Sequence, residues 1–82
     1  MIRNDLKRAI LEALKLEDWQ LEETTQAAEV PGWDSLSHVN VILAVEKKFG
    51  VRFRNIEVLK LKNVGDLQLL LESKLKAATA GN

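Results

Sequence analysis

Few side chains in this sequence could take part in covalent chemistry. The 82 residues include no cysteine and a single histidine, His38, three positions after Ser35 in the run Trp-Asp-Ser-Leu-Ser at 33–37. No Gly-x-Ser-x-Gly elbow surrounds the serine, so a hydrolase is the weakest option. Without cysteine or a second histidine, we expect no metal site and no catalytic residue. Ser35 is poorly supplied to act as a nucleophile itself, and better placed to be modified by another protein.

The neighbours of Ser35 offer no obvious catalytic machinery. We expect His38 to lie on a helix face or to be partly buried rather than to transfer protons. Trp33 and His38 occupy the two positions of a hydrophobic staple, but a histidine there makes the motif weak. We expect Trp19 to anchor the long loop that precedes Ser35.

Length and composition predict one small domain spanning residues 1–82. The absence of cysteine excludes disulfides and thiolate metal sites and fits a reducing compartment. Charges interrupt the first residues before an apolar run develops, which argues against a signal peptide. The longest apolar run, residues 41–45, is far too short to span a membrane. We therefore expect a soluble, cytoplasmic protein with no membrane span.

Apolar periodicity predicts an all-α fold, a small four-helix bundle of three main helices and one short helix. The first helix should cover about residues 2–16, and a long loop should follow over 17–32. We expect Leu21, Val30 and one or both tryptophans to fix this loop to the core. The remaining helices are expected at 34–49, as one short turn around 56–61, and from Asn63 onward, with 77–82 as a frayed tail.

The helix after Ser35 carries two apolar stripes. Asp34 is a favoured N-cap residue, and Gly50 should end the helix after Phe49. At 100° per residue, the wider stripe contains Val41, Ile42, Val45 and Phe49, with His38 inside it. The narrower stripe, which we call the docking stripe, contains Leu36, Val39 and Leu43, bordered by Asn40, Glu46 and Lys47.

Two interpretations of the docking stripe remain open. A core needs only one apolar face, so the narrower stripe can serve a partner protein. Alternatively, a small fold can wrap this helix on both sides.

Ser35 would be the first helical residue, where the positive end of the helix dipole favours an anion bonded to its oxygen. An unmodified serine near a helix start is also common.

Residues 32–53 resemble the acyl carrier protein family, with its peptidyl and D-alanyl carrier relatives. The resemblance comprises Asp34-Ser35-Leu36, the helix after it, its Glu-x-x-Phe-Gly ending, and the order of elements along nearly the whole chain. It implies a carrier rather than an enzyme, with 4′-phosphopantetheine attached to Ser35 by a phosphopantetheinyl transferase that uses coenzyme A and magnesium. The arm would hold acyl or aminoacyl groups as thioesters for loading and transferring enzymes.

The resemblance also assigns roles to the neighbours of Ser35. Asp34 would cap the helix and present an acid to the transferase. The positions implied for partner docking are Leu36, Val39, Asn40, Leu43 and Lys47.

The charge distribution departs from the family pattern. The net charge is zero, but residues 1–34 hold eight acids and four bases, whereas residues 35–62 hold two acids and six bases. Carriers of fatty acid synthesis are typically acidic along the serine helix, where this chain has Ser37, Asn40, Lys47 and Lys48. A basic partner would be repelled from this segment. We therefore expect a carrier of a specialised pathway rather than of bulk fatty acid synthesis.

Two other classes of function compete. A protein-interaction module with an unmodified serine would explain the docking stripe equally well. A small helical nucleic-acid binder could use the basic segment, but interleaved aromatic residues and a strong positive charge are missing. We expect a monomer without a nucleic-acid partner.

Overall fold

Four α-helices make up the fold, as the sequence predicts. The computed structural model describes the backbone of residues 2–80 and the side chains of residues 2–77, and this part of the chain contains no strand. The helices are α1 (Asn4–Leu14), α2 (Ser35–Phe49), α3 (Asn55–Leu59) and α4 (Val64–Ala80). A one-turn 3₁₀ helix, Ala27–Glu29, interrupts the long loop between α1 and α2.

The core forms where α1, α2 and α4 meet. Its most completely buried large side chains are Leu6, Ile10, Val41, Val45, Val64, Leu67 and Leu71. They recur at helical spacing along each of the three long helices, which explains why this sequence folds as a helical bundle. The helix α1 packs directly against α2. Gly50 ends α2 in the left-handed conformation, with φ of 67°, which glycine adopts without steric cost.

The loop before α2 is fixed to the body of the protein at several points. Leu21, Val30 and Trp33 are buried, as expected. Trp19, by contrast, is 38% exposed and does not belong to the buried core. Only one of the two tryptophans therefore contributes to the core.

Backbone hydrogen bonds join the same loop to the start of α4. The N–H of Val64 donates to the carbonyl of Thr25, and the N–H of Gly65 donates to the carbonyl of Glu23, each at 2.8 Å. These bonds satisfy two donors of the first helical turn, which have no acceptor within their own helix. The loop is thus held in place from both the core and α4.

The last helix begins where the sequence predicts and extends further than expected. Asn63 acts as its N-cap, because its Oδ1 accepts the N–H of Asp66 at 2.8 Å. The helix α4 continues through Ala80, so residues 77–80 of the tail are helical in this structure, and their fraying stays a prediction. Lysine and alanine near this end are strong helix formers, which explains the extension. Residues 81 and 82 lie outside the described residues.

None of the helices in the described part of the chain combines the length and the apolar character that crossing a membrane requires.

Candidate functional site

Asp34 begins α2 with a well-formed cap. Its Oδ1 accepts the backbone N–H of Ser37 at 2.9 Å, and its carbonyl accepts the N–H of His38 at 2.8 Å. The hydrogen bond from the Ser37 N–H lowers the pKa of the Asp34 carboxyl below its usual 3.8. A carboxylate at this position also interacts favourably with the helix dipole. The sequence prediction that Asp34 caps this helix is confirmed.

Ser35 is the first residue of α2, and it is exposed. Within residues 2–80, neither its hydroxyl nor its backbone N–H has a hydrogen-bond partner. The hydroxyl is therefore accessible to another protein, and the N–H is available to an anion attached there. Among the described residues, no group of three or more His, Asp or Glu side chains could hold a metal ion.

The two faces of α2 differ sharply in exposure. Val41, Ile42 and Val45 are buried, whereas Leu36 is 81% exposed and Val39 and Leu43 are each 55% exposed. The fold therefore does not wrap α2 on both sides, and the docking stripe is free in this structure. Asn40 and Lys47, on the same face, are also exposed.

The short helix α3 adds apolar surface beside the docking stripe. Leu59 and Ile56 are 83% and 60% exposed, and the sequence predicted a short helix here but no part of the site. A depression of about 500 Å³ lies between the two helices and is lined by Val39, Leu43 and Leu59, among others. The sequence could have indicated this exposure, because a helix of only five residues has too few positions to bury several apolar side chains at once.

Trp33 and His38 form a closer pair than the weak staple motif suggested. The indole Nε1–H of Trp33 donates to Nδ1 of His38 at 3.0 Å, and the two rings stack with centroids 6.0 Å apart. Burial lowers the pKa of the His38 imidazole below its usual 6.5, because burial disfavours the charged ring. The pair joins the residue before the cap to the first turns of α2. His38 is thus half-buried on the core side, as expected.

Comparisons with known proteins identify the family to which this chain belongs. The sequence matches no family model. An acyl carrier protein of Wolinella succinogenes is 31% identical over 72 residues, which cover 88% of this chain and 95% of the relative. An acyl carrier protein of Helicobacter pylori strain G27 is 34% identical over 68 residues, covering 83% of this chain and 87% of the relative.

A solved structure shares the fold. The solution NMR structure of holo acyl carrier protein from Geobacter metallireducens superposes with a TM-score of 0.89. That alignment covers 96% of this chain and 91% of the other, at 33% sequence identity. Because curated relatives above 30% identity align along most of both chains, this chain belongs to the acyl carrier protein family, whose members are carriers and not catalysts.

Proposed function

We propose that Ser35 is the attachment site of 4′-phosphopantetheine and that the chain carries acyl or aminoacyl groups as thioesters on that arm. The observation that carries this proposal is an exposed, unpartnered Ser35 hydroxyl at the first position of a capped helix, beside an exposed apolar stripe. The group supplies a thiol when it is attached, and this chain has no cysteine of its own.

The surroundings of Ser35 fit an attached phosphodiester. An anion on the Ser35 oxygen would lie beside the free Ser35 N–H and the positive end of the α2 dipole. No side chain of the described residues hydrogen-bonds to the hydroxyl and would have to move. The only imidazole, His38, uses Nδ1 to accept the Trp33 N–H. The transferase must therefore supply the base that activates Ser35.

Docking of partner enzymes belongs to the same proposal. Loading and transferring enzymes, and the phosphopantetheinyl transferase, would contact the exposed face that begins one residue after Ser35. Asp34 would present its carboxylate to the transferase, since one oxygen caps the helix and the side chain is exposed. The residues proposed for partner contact are Leu36, Val39, Asn40, Leu43 and Lys47.

We further propose that the carrier serves a specialised pathway. The only acid of α2, Glu46, is half-buried, and its Oε2 accepts the N–H of Phe53 at 2.7 Å. The exposed charges of this helix are Lys47 and Lys48. A partner with a basic docking surface, suited to an acidic serine helix, would be repelled by them.

Intact-mass measurement tests the attachment. The purified chain is incubated with coenzyme A, magnesium and a broad-specificity phosphopantetheinyl transferase. We expect the wild type and Ser37→Ala to gain one phosphopantetheine mass and Ser35→Ala to gain none. Ser37 is the matched control, because it lies in the same helical turn. If the wild type gains no mass, the protein-interaction module with an unmodified serine becomes the better account.

A further inference from the structure

We propose that the partner enzymes of this carrier dock through a surface with an apolar centre and an acidic rim. The inference rests on the proposed function, since it specifies the partner of the same docking stripe. It follows from where the charges around that stripe lie and from which of them are already paired.

The cations of the segment that follows Ser35 take part in no ion pair within residues 2–80, so they can interact with a partner. Arg3, Lys7 and Lys74 form the ion pairs of the described residues, with Asp5, Asp18 and Glu57. The basic residues of the 35–62 segment are exposed, and each makes no ion pair within residues 2–80: Lys47, Lys48, Arg52, Arg54, Lys60 and Lys62.

The two acids of the same segment are occupied. Glu46 is half-buried, and its Oε2 accepts the backbone N–H of Phe53. Glu57 accepts the backbone N–H of Arg54 at 2.8 Å and pairs with Lys74 of α4 at 2.9 Å. Each carboxylate therefore already has a partner outside the six exposed cations, and Glu57 also interacts electrostatically with Arg54. The segment keeps a net positive charge, with six exposed cations against these two carboxylates.

Two of the six cations, Lys47 and Arg52, lie directly beside the apolar centre. Lys47 follows Leu43 by one helical turn, on the same face of α2. Leu43, Lys47 and Arg52 together line a second depression, of about 650 Å³. Leu43 also lines the apolar depression that reaches Leu59 on α3. A partner side chain that contacts Leu43 would thus meet two basic groups in the same recess, together with the half-buried Glu46, whose carboxylate already accepts the Phe53 N–H.

Charge complementarity selects the partner. Carboxylates of the partner, placed around an apolar side chain, would interact with Lys47 and Arg52 and increase the rate of association. A basic rim on the partner would be repelled. A nucleic acid fits less well, because the whole chain has zero net charge and residues 1–34 are acidic.

A pair of peptides tests this inference. Two amphipathic helical peptides share one leucine face and differ only in flanking residues, which are glutamates in one and lysines in the other. Each is titrated into the ¹⁵N-labelled chain, with and without the arm, and amide shifts are followed by NMR. We expect the acidic peptide to shift Val39, Leu43, Lys47 and Arg52, with binding that weakens as salt is added.

Matched variants separate a specific contact from general attraction. Lys47→Glu should weaken binding of the acidic peptide about fivefold, by analogy with exposed ion pairs. Lys76→Glu, an equal charge change at an exposed position of α4, should leave binding within about twofold. Lys47→Ala should also weaken binding of the acidic peptide, because it removes the positive charge without adding an acid. Circular dichroism checks that each variant is folded.

Several outcomes overturn the inference. These are equal or tighter binding of the basic peptide, an equal loss in Lys76→Glu, binding of neither peptide, or tighter binding of duplex DNA at the same amides. Attachment to Ser35 is measured separately by mass. A chain that takes the arm but prefers the basic peptide would contradict only the acidic rim, whereas one that prefers the acidic peptide but is never modified would contradict only the carrier function.

Discussion

At the scale of single residues, the site depends on what surrounds Ser35 more than on the serine itself. Asp34 caps the helix, Ser35 is left exposed without a partner, and Leu36 begins the exposed apolar stripe. No side chain of the described residues hydrogen-bonds to the Ser35 hydroxyl, which suits a residue that another enzyme modifies. The hydrogen bond between Trp33 and His38 links the residue before the cap to the first turns of α2.

His38 makes stability depend on pH. Its pKa in the folded chain lies below the ordinary value of about 6.5, so the unfolded chain binds more protons between the two values. Its contribution is complete above about pH 6.5 and is lost as pH falls through that window. Protonation also removes the Nδ1 acceptor of the Trp33 N–H. We expect the melting temperature to fall from about pH 7.5 to about pH 5.

A variant isolates this histidine from the acids. The carboxyls with lowered pKa values, on Asp5, Asp34 and Glu57, lose their contribution only below their ordinary values near 4. His38→Gln should therefore remove most of the change between pH 7.5 and 5, as measured by thermal melts. An unchanged pH slope in this variant would show that another group is responsible.

At the scale of elements, α2 has one face for the core and one for partners. Leu43→Asp should lower the free energy of unfolding by less than about 1 kcal/mol, because Leu43 is 55% exposed. Leu71→Ala should lower it by about 2 to 5 kcal/mol, because Leu71 is completely buried. Urea unfolding measures both values.

The same two variants separate stability from docking. The rate of arm attachment, or of cargo transfer, should fall in Leu43→Asp and remain near wild type in folded Leu71→Ala. A loss of several kcal/mol in Leu43→Asp would instead assign this residue to the core.

The junction between the loop and α4 depends on a glycine. A Cβ on Gly65 would lie 2.8 Å from the carbonyl oxygen of Glu23 and 3.0 Å from its Cβ. Alanine favours a helix by about 1 kcal/mol over glycine, yet we expect Gly65→Ala to be destabilising, because the loop must move away. Ser73→Ala, at an exposed position of the same helix, is the control and should be neutral or slightly stabilising. A more stable Gly65→Ala would show that the loop yields at little cost.

At the scale of the whole molecule, local signals predict the helices and tertiary contacts decide the site. Asp34 and Gly50 gave the limits of α2, and its periodicity correctly divided Val41 and Val45 from Leu43. The exposure of Trp19 could not be predicted, since it depends on how the loop folds back. The contact of Trp33 with His38 was suggested only by spacing, because the ring geometry depends on the packing around it.

Charge is also a property of the whole chain. The acids concentrate in residues 1–34 and the exposed cations in residues 35–62, although Glu12 of α1 lines one shallow depression together with Lys47 and Lys48. We propose that the carrier is a monomer in solution, with its basic surface left free for acidic partners. Its cargo and its pathway then depend on enzymes that match this surface.

Fragmentation of the modified wild-type chain in a mass spectrometer shows which residue receives the arm. We predict a single added phosphopantetheine whose mass appears on fragments that contain Ser35 and is absent from fragments that contain Ser37 or Ser73 alone. An added mass on any other residue, or no added mass in the folded wild type, would contradict the account.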